Sequence, residues 1–288
     1  MVYKNKMGLI GSLDINRPKY KILYWAIFCI LIILAIICIV PPLWIMLSSV
    51  KDIKEFYATP PTIIPHTWNF KKVIDAWNKY SFVKYIINTG VLTLGCILSA
   101  VCINGLAGYG LSKLKPKGVT LIFALIMWSM MIPSQTSMVP IYKNIVSLNM
   151  INTHMPMYMM YASRAFKVIV FKNFFDSIPD SLLESARLDG CRELGIFTKI
   201  ILPLSKAGVA TMVILTLKES WSEFFWPFLV LRDRDKYTVM VEMYMIQNQI
   251  AVDELVILIS FSIIPPVILF LIFQKNIMQG FASSGIKG

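Results

Sequence analysis

The feature that most constrains this chain is a recurrence. Apolar runs of about 20 residues, each long enough to cross a hydrocarbon core of roughly 30 Å as a helix, return along its whole length. Six are read, near residues 22–49, 84–111, 119–144, 152–175, 207–231 and 254–274. A backbone in lipid must satisfy its own hydrogen bonds, so these runs predict an all-α, polytopic integral membrane protein with six transmembrane helices. A hydrophobic fraction of 57% against 15% charged residues excludes an ordinary soluble domain. The first run continues past Pro41 and Pro42 without a small-residue cleavage site, and is read as a retained helix instead of a signal peptide.

Orientation follows from charge. The net charge of +12 is carried mostly between the apolar runs, which points to loops held on the cytoplasmic side and away from nucleic acid. With the N-terminus inside, the cytoplasmic segments are the start (Lys4, Lys6, Arg17, Lys19, Lys21), the turn Lys113–Lys117, the stretch from Lys172 to Lys206, and the tail. Lys and Arg exceed Asp and Glu there far more than in the opposite loops, so both termini are read as cytoplasmic. Residues 1–21 then form an N-terminal segment and 22–288 a single transmembrane domain. The outer loop 50–83 holds "TPPTIIPHTW" and then "NFKKVIDAW", which predicts an extended Pro-rich piece followed by a short interfacial helix. Five cysteines without a C-x-x-C pair, and two isolated histidines, His66 and His154, give no disulfide framework, metal site or catalytic cluster. The sequence has no G-x-x-x-x-G-K-[ST] loop, so it does not bind ATP by that device.

Between the fourth and fifth runs stands a stretch of mixed charge, "SIPDSLLESARLDGCRELGIFTKIILPL" at 177–204. Ser177 or Ser181 can cap a helix there, with Asp180 or Glu184 three residues later and Pro179 tolerated in a first turn. Leu183, Ala186, Gly190, Leu194, Phe197 and Ile201 recur at helical spacing as one apolar stripe, while Glu184, Arg187, Arg192 and Lys199 face away. Gly190 costs a helix about 1 kcal/mol relative to Ala, so either the helix ends there or something approaches its backbone closely. A helix hairpin lying along the membrane results. Periodicity alone leaves open whether it only rests on the surface or docks a partner.

The spacing Glu184, Ala186, Gly190, Ile200, Leu202, Pro203 resembles the cytoplasmic signature of binding-protein-dependent ABC importer permeases, E-A-A, three residues, G, nine residues, I-x-L-P. Ser185 departs from the usual Ala, small for small, and Asp189 before Gly190 is similar to the form in the carbohydrate branch. The resemblance implies that Glu184, Ser185, Ala186, Asp189, Gly190, Ile200, Leu202 and Pro203 couple this chain to a separate ATPase that holds ATP and Mg, with no cofactor in the chain itself. It further implies a second six-span permease, two ATPase subunits, an external solute-binding protein and a prokaryotic cytoplasmic (inner) membrane. ATP-driven closure of the ATPases would draw the hairpins together and open the path outward, and hydrolysis would reverse it. "VPPLWIMLSSVKDIKEFYATPP" at 40–61, "INTGVLTLGCILSAVCINGLAGYGLSKLKPKG" at 87–118 and "WSEFFWPFLVL" at 221–231 look like maltose-transporter-like permeases, with Ser222 where Asn is common. So does the ending "QKNIMQGFASSGIKG". A carbohydrate importer subunit is the reading; the alternatives are a permease for a non-carbohydrate solute and an ion-coupled secondary transporter.

Charges at bilayer depth cost at least about 2.5 kcal/mol each, so they face a bundle interior or a wet cavity. Arg164 and Lys167 are assigned to the fourth helix, Lys218, Glu219 and Glu223 to the fifth, and together with Trp221 they are candidates for a translocation path. Glu219 and Glu223 share a face at i,i+4 and need a partner, Arg164 or Lys167. An interhelical salt bridge is the plainer account of the same charges. Trp128, Trp221, Phe224, Phe225 and Trp226 are candidates to stack on sugar rings, against plain packing, and Pro227 is expected to kink the fifth span.

Overall fold

The structure is a computed structural model that describes the backbone of residues 18–285 and the side chains of 20–272 and Gln274. Lys4, Lys6 and Arg17, and the side chains of Lys19 and of the closing segment from 275, lie outside these described residues. Every described element is helical. Contacts divide the chain into two compact units, Met1–Ile74 and Asp75–Gly288.

The first unit opens with α1, Pro18–Ser49, which runs through Pro41 and Pro42. Its apolar side chains, among them Ile22, Leu31 and Ile37, are exposed, a surface that suits hydrocarbon. A short α2, Ile53–Phe56, follows. The Pro-rich loop after it is tied down by two carboxylates. Asp52 accepts from Asn69 Nδ2 at 2.7 Å and Thr67 Oγ1 at 2.9 Å, and Glu55 accepts from Thr62 Oγ1 at 2.8 Å and the His66 amide at 2.9 Å. A short helix follows as expected, α3, Phe70–Lys79, whose residues from Asp75 belong to the second unit.

In the second unit, α4 runs over Phe82–Leu114 with π-helical turns at Ala100–Asn104 and Gly110–Leu114. Then come α5, Val119–Ser129, and α6, Ser134–Ser147, bent by 94° from it. Next are α7, Met155–Ala162, α8, Ala165–Asp176, α9, Asp180–Leu188, and α10, Glu193–Leu204. Beyond an 85° corner lies α11, Lys206–Trp221, followed by α12, Phe225–Val230, α13, Val239–Ile246, and α14, Val252–Gly285. The segment before α13 is pinned in place: Asn152 Oδ1 accepts from the Arg232 and Asp233 amides, both at 3.1 Å, and Arg234 pairs with Glu242 at 2.5 Å.

Among the described residues three uninterrupted helices are long and apolar enough to cross a membrane, Tyr20–Ser49, Phe82–Leu114 and Val252–Ile272, and five if each bent pair counts as one span. Three of the runs predicted as continuous are therefore broken. The break in 119–144 precedes Pro133, which lacks an amide donor and disfavours helical backbone at the residue before it. The run 207–231 stops at Trp221 and restarts at Phe225, so Pro227 sits in the first turn of α12, where its missing N–H costs nothing, instead of kinking a continuous helix. The run 152–175 is interrupted at Ser163–Arg164, where neither Gly nor Pro stands.

Helix α4 comes close to the backbone of α8 at Gly108. A Cβ at Gly108 would lie 2.7 Å from Phe171 Cβ and 3.0 Å from the Lys172 amide nitrogen, so a larger residue forces the two helices apart. Two residues on, a Cβ at Gly110 would meet nothing within 4 Å. Gly108→Ala is expected to lower stability by about 1–3 kcal/mol through overpacking, while Gly110→Ala stays neutral or gains up to about 1 kcal/mol from helix propensity. Melting temperatures of the two variants purified in detergent check the contrast.

Candidate functional site

Two constellations in the second unit hold the residues that the sequence singles out. The first is the pair α9 and α10 with its turn at 189–192. Pro179, extended at φ −61° and ψ 134°, leads into α9, and no side chain caps it. Ser177 instead donates to Phe174 O at 2.6 Å and closes α8, and Ser181 lies inside α9, so the expected serine cap is not made. At the other end the Gly190 amide donates to Arg187 O and the Cys191 amide to Ala186 O, both at 3.0 Å, with Gly190 at φ +79°. This is a Schellman turn, whose left-handed position favours glycine. The helix ends here, and no atom of this chain lies within 4 Å of a Cβ at Gly190, so the left-handed turn accounts for the glycine within the chain.

The turn resets the phase of the apolar stripe. Leu183 and Ala186 on α9 and Phe197 and Ile201 on α10 are buried as expected, but Leu194 is 64% exposed and Ile196 takes its place. These inner residues join Tyr109, Phe171, Phe175, Ile178 and Met212 in one cluster, each large apolar burial worth about 1.5–3 kcal/mol. Ile200 and Leu202 pack against the same cluster. Pro203 cannot donate to Lys199 O, and the helix widens to a π turn over Phe197–Ile201 just before the corner at Ser205. Glu184, Ser185, Asp189, Gly190, Arg187, Arg192 and Lys199 are exposed. So are Leu182 and, at 89%, Leu188, which gives the pair a second, outward apolar side beside its charges.

Tertiary contacts hold the pair at its joints. Lys113 Nζ donates to Ile178 O and to Asp180 Oδ1, each at 2.6 Å, and Tyr109 Oη donates to Glu193 Oε2 at 2.5 Å. Arg187 Nε reaches Glu193 Oε1 at 2.8 Å across the turn. The Lys113 ammonium holds the Asp180 carboxyl below its ordinary value of 3.8.

The second constellation is an open cavity of about 450 Å³ lined by Tyr161, Arg164, Glu219, Ser222, Glu223, Phe224 and Phe225. Arg164 sits in the break before α8, at φ −93° and ψ 105°, and not within a helix. Fully buried Asn104 organises that break: its Nδ2 donates to Ala100 O at 2.8 Å and Tyr161 O at 2.9 Å, and its Oδ1 accepts from the Arg164 amide at 3.1 Å. Of the two partners open to the glutamates, Lys167 is the one that pairs, with Glu219 at 2.9 Å, and it also donates to Thr216 Oγ1 at 2.7 Å. Its ammonium lies 4.8 Å from the Tyr161 ring centre, and the Arg164 guanidinium 5.2 Å from the same ring. Glu223 lies beyond the end of α11 and accepts from the Trp226 amide at 3.3 Å, so it does not continue a helical face with Glu219.

Besides Lys167, two path candidates stand apart from the cavity lining. Lys218 is exposed elsewhere on α11, and Trp221 is buried with Nε1 donating to Ser262 O at 3.2 Å. Of the aromatic candidates Phe224 and Phe225 line the cavity, Trp226 packs beside Leu92 and Tyr161, and Trp128 is 64% exposed on α5. Asn104, Tyr109, Lys113 and Tyr161 were not singled out from sequence. A buried asparagine mid-span was a usable signal for the first.

Residues 104–283 match the family described as binding-protein-dependent transport system inner membrane component. The chain is 30% identical over 278 residues to the arabinooligosaccharides transport system permease protein AraQ of Bacillus subtilis (strain 168), covering 95% of this chain and 99% of that one. It is 26% identical over 283 residues to the sn-glycerol-3-phosphate transport system permease protein UgpE of Escherichia coli (strain K12), covering 93% and 98%. A crystal structure of a bacterial ABC transporter involved in the import of the acidic polysaccharide alginate shares the fold, with TM-score 0.79 and 24% identity, over 90% of this chain and 98% of that one.

Two outcomes follow from this geometry. Glu219→Gln, which leaves Lys167 buried without its carboxylate, is expected to lower stability by about 2 kcal/mol, less than the full cost of breaking a buried pair because Glu219 is half exposed; Lys167→Met added to it recovers most of the loss, read by thermal melting in detergent. The second concerns pH. Because the folded Asp180 carboxyl lies below 3.8, its contribution is fully present above that value and is lost as pH falls through the folded value. Hydrogen exchange of the α9 amides, corrected for intrinsic rates, is expected to be flat from neutral pH down to about pH 5 and to rise only below about pH 4.

Proposed function

The chain belongs to the family of binding-protein-dependent transport system inner membrane components, and on that premise we propose that it is the transmembrane permease subunit of an ATP-driven importer for a carbohydrate, an oligosaccharide. Identity of 30% to the arabinooligosaccharides permease, over 95% of this chain and 99% of that one, is the observation that carries the reading. The proposed permease domain spans 22–288, with six spans and both termini cytoplasmic. In this reading α7 and α8 together form the fourth span and α11 the fifth, while α9 and α10 form a cytoplasmic coupling hairpin over 177–204. The excess of Lys and Arg in the segments assigned to the inside supports that orientation.

Glu184, Ser185, Ala186, Asp189, Gly190, Ile200, Leu202 and Pro203 then have two tasks. Ala186, Ile200 and Leu202 belong to the side that packs toward the membrane helices, and Pro203 to the widened turn before the corner. Glu184, Ser185, Asp189 and Gly190, with Leu188, form the side offered to an ATPase subunit, a charged rim around an apolar centre. ATP and Mg are bound in that partner and this chain performs no chemistry. A second six-span permease completes the path. An external solute-binding protein docks on the outer segments, 50–83 and 232–252. Arg164, Glu219 and Glu223, lining the cavity, are the residues of this subunit proposed to face the solute, with Lys167 holding Glu219 from behind. Lys218 and Trp221 lie off the lining and are left out of that set. The relation to a glycerol-3-phosphate permease keeps a non-carbohydrate solute as the second reading.

The test is uptake by the purified complex in vesicles, with neutral oligosaccharides as one arm and sn-glycerol-3-phosphate as the other. Uptake of an oligosaccharide that needs ATP and the binding protein is expected, and uptake driven by an ion gradient alone contradicts the reading. Gly190→Leu forces a side chain into left-handed backbone at about 1–2 kcal/mol. With Glu184→Lys as a second variant, transport is expected to fall about tenfold or more while the protein stays in the membrane. Normal uptake with both changes removes the site assignment.

A further inference from the structure

The C-terminal end of α4 carries three side chains, and each grips a different joint of the α8–α9–α10 segment. Ser112 Oγ donates to Asp176 Oδ1 at 2.6 Å, at the last residue of α8. Lys113 reaches the next joint, Ile178 O and Asp180 Oδ1, each at 2.6 Å, and Asp180 is the first residue of α9. Tyr109 reaches Glu193, the first residue of α10, at 2.5 Å, and its ring lies 5.6 Å from that of Phe197. The Lys113 side chain is only 4% exposed, so its charge is held by these acceptors and not by water. Helix α4 is π-helical over Gly110–Leu114, which widens the turn from which Ser112 and Lys113 extend. Among the described residues α11 joins the pair through apolar packing at Met212 and not through a side-chain hydrogen bond or ion pair, and it meets α10 at an 85° corner at Ser205, a residue off helical backbone at φ −97° and ψ 27° with an unpartnered buried hydroxyl.

We propose that Lys113 and Tyr109 are positioning residues that carry the motion of the coupling hairpin into α4, so that the ATP-driven signal enters the bundle laterally through that helix. The proposal rests on the reading of 177–204 as the ATPase-docking element. Physically, a coupling element needs a contact that holds it to the moving helix in both states, and the two arms of the hairpin share α4 as their common anchor. The corner at Ser205 takes up the rotation between hairpin and fifth span. The Arg187–Glu193 pair keeps the two arms moving together, since the carboxylate that accepts from Tyr109 also accepts from Arg187.

The experiment uses the full complex in vesicles and reads two rates together, ATP hydrolysis stimulated by the loaded binding protein and solute uptake. Lys113→Met is expected to leave the ATPase subunits bound and hydrolysis within about threefold of wild type, while uptake per ATP falls about tenfold or more. Tyr109→Phe gives a smaller fall in the same ratio. Lys113→Arg retains coupling, and the exchange Lys113→Asp with Asp180→Lys recovers part of it. An unchanged ratio in Lys113→Met, whether both rates hold or both fall together, overturns the proposal, as does loss of the ATPase from that variant. A wild-type complex that never retains an ATPase fails earlier and overturns the underlying reading; a wild-type complex that couples, beside a Lys113→Met complex that couples equally well, overturns the proposal alone.

Discussion

A helix interrupted inside a packed bundle must find partners for the backbone groups it frees, because its apolar neighbours offer none. In this protein one buried side chain meets that demand at the break that matters most. Asn104 on α4 donates to Tyr161 O on one side of the gap and accepts from the Arg164 amide on the other. With the gap stabilised, Arg164 leaves the helical path and lines the cavity, and α8 restarts in a register that directs Lys167 at Glu219 on α11. The charge pair and the cavity are set out around a gap that two hydrogen bonds of one asparagine hold together.

The same economy governs the cytoplasmic side of the proposed arrangement. A short helix pair has too little surface of its own to hold a fixed pose, so its inner face is sewn into the aromatic cluster of Phe171, Phe175 and Phe197. Its outer face keeps an exposed leucine at 89% among charges, which is the composition of a docking surface and a poor one for water. Membership of a binding-protein-dependent transport family supplies the kind of partner such a surface serves, and the lack of a phosphate-binding loop in this chain makes an external ATPase necessary under the proposed function.

Much of this was legible in the residues. Apolar run length located α1, α4 and the membrane part of α14 to within a few residues, because those helices obey a local rule. Gly190 marked either a helix end or a close approach, and α9 ends there. What failed did so where the cause is distant or three-dimensional. Leu194 was assigned to the buried stripe because a periodic reading runs straight through a turn that in fact resets the phase. The gap before Arg164 has no Gly or Pro to mark it, and its cause, Asn104, lies 60 residues away. Arg164 and Lys167 are equally basic in sequence, and only geometry separates the one that pairs with Glu219 from the one that lines the cavity. Lys113 looked like one more positive charge in a short loop, whereas it is buried and paired.

The central claim is that the helix pair is the place where a cytoplasmic ATPase engages this chain, and proximity at its exposed Leu188 tests that most directly. In membranes holding the full complex, with Cys191 replaced by serine, Leu188→Cys carries a thiol-specific bifunctional crosslinker. The expected result is a covalent adduct with the ATPase subunit, strengthened or weakened by ATP, and no labelling by a membrane-impermeant maleimide added from outside the cell. Labelling of Leu188→Cys from outside, or a complex that transports normally while position 188 crosslinks to no ATPase with or without ATP, contradicts the account.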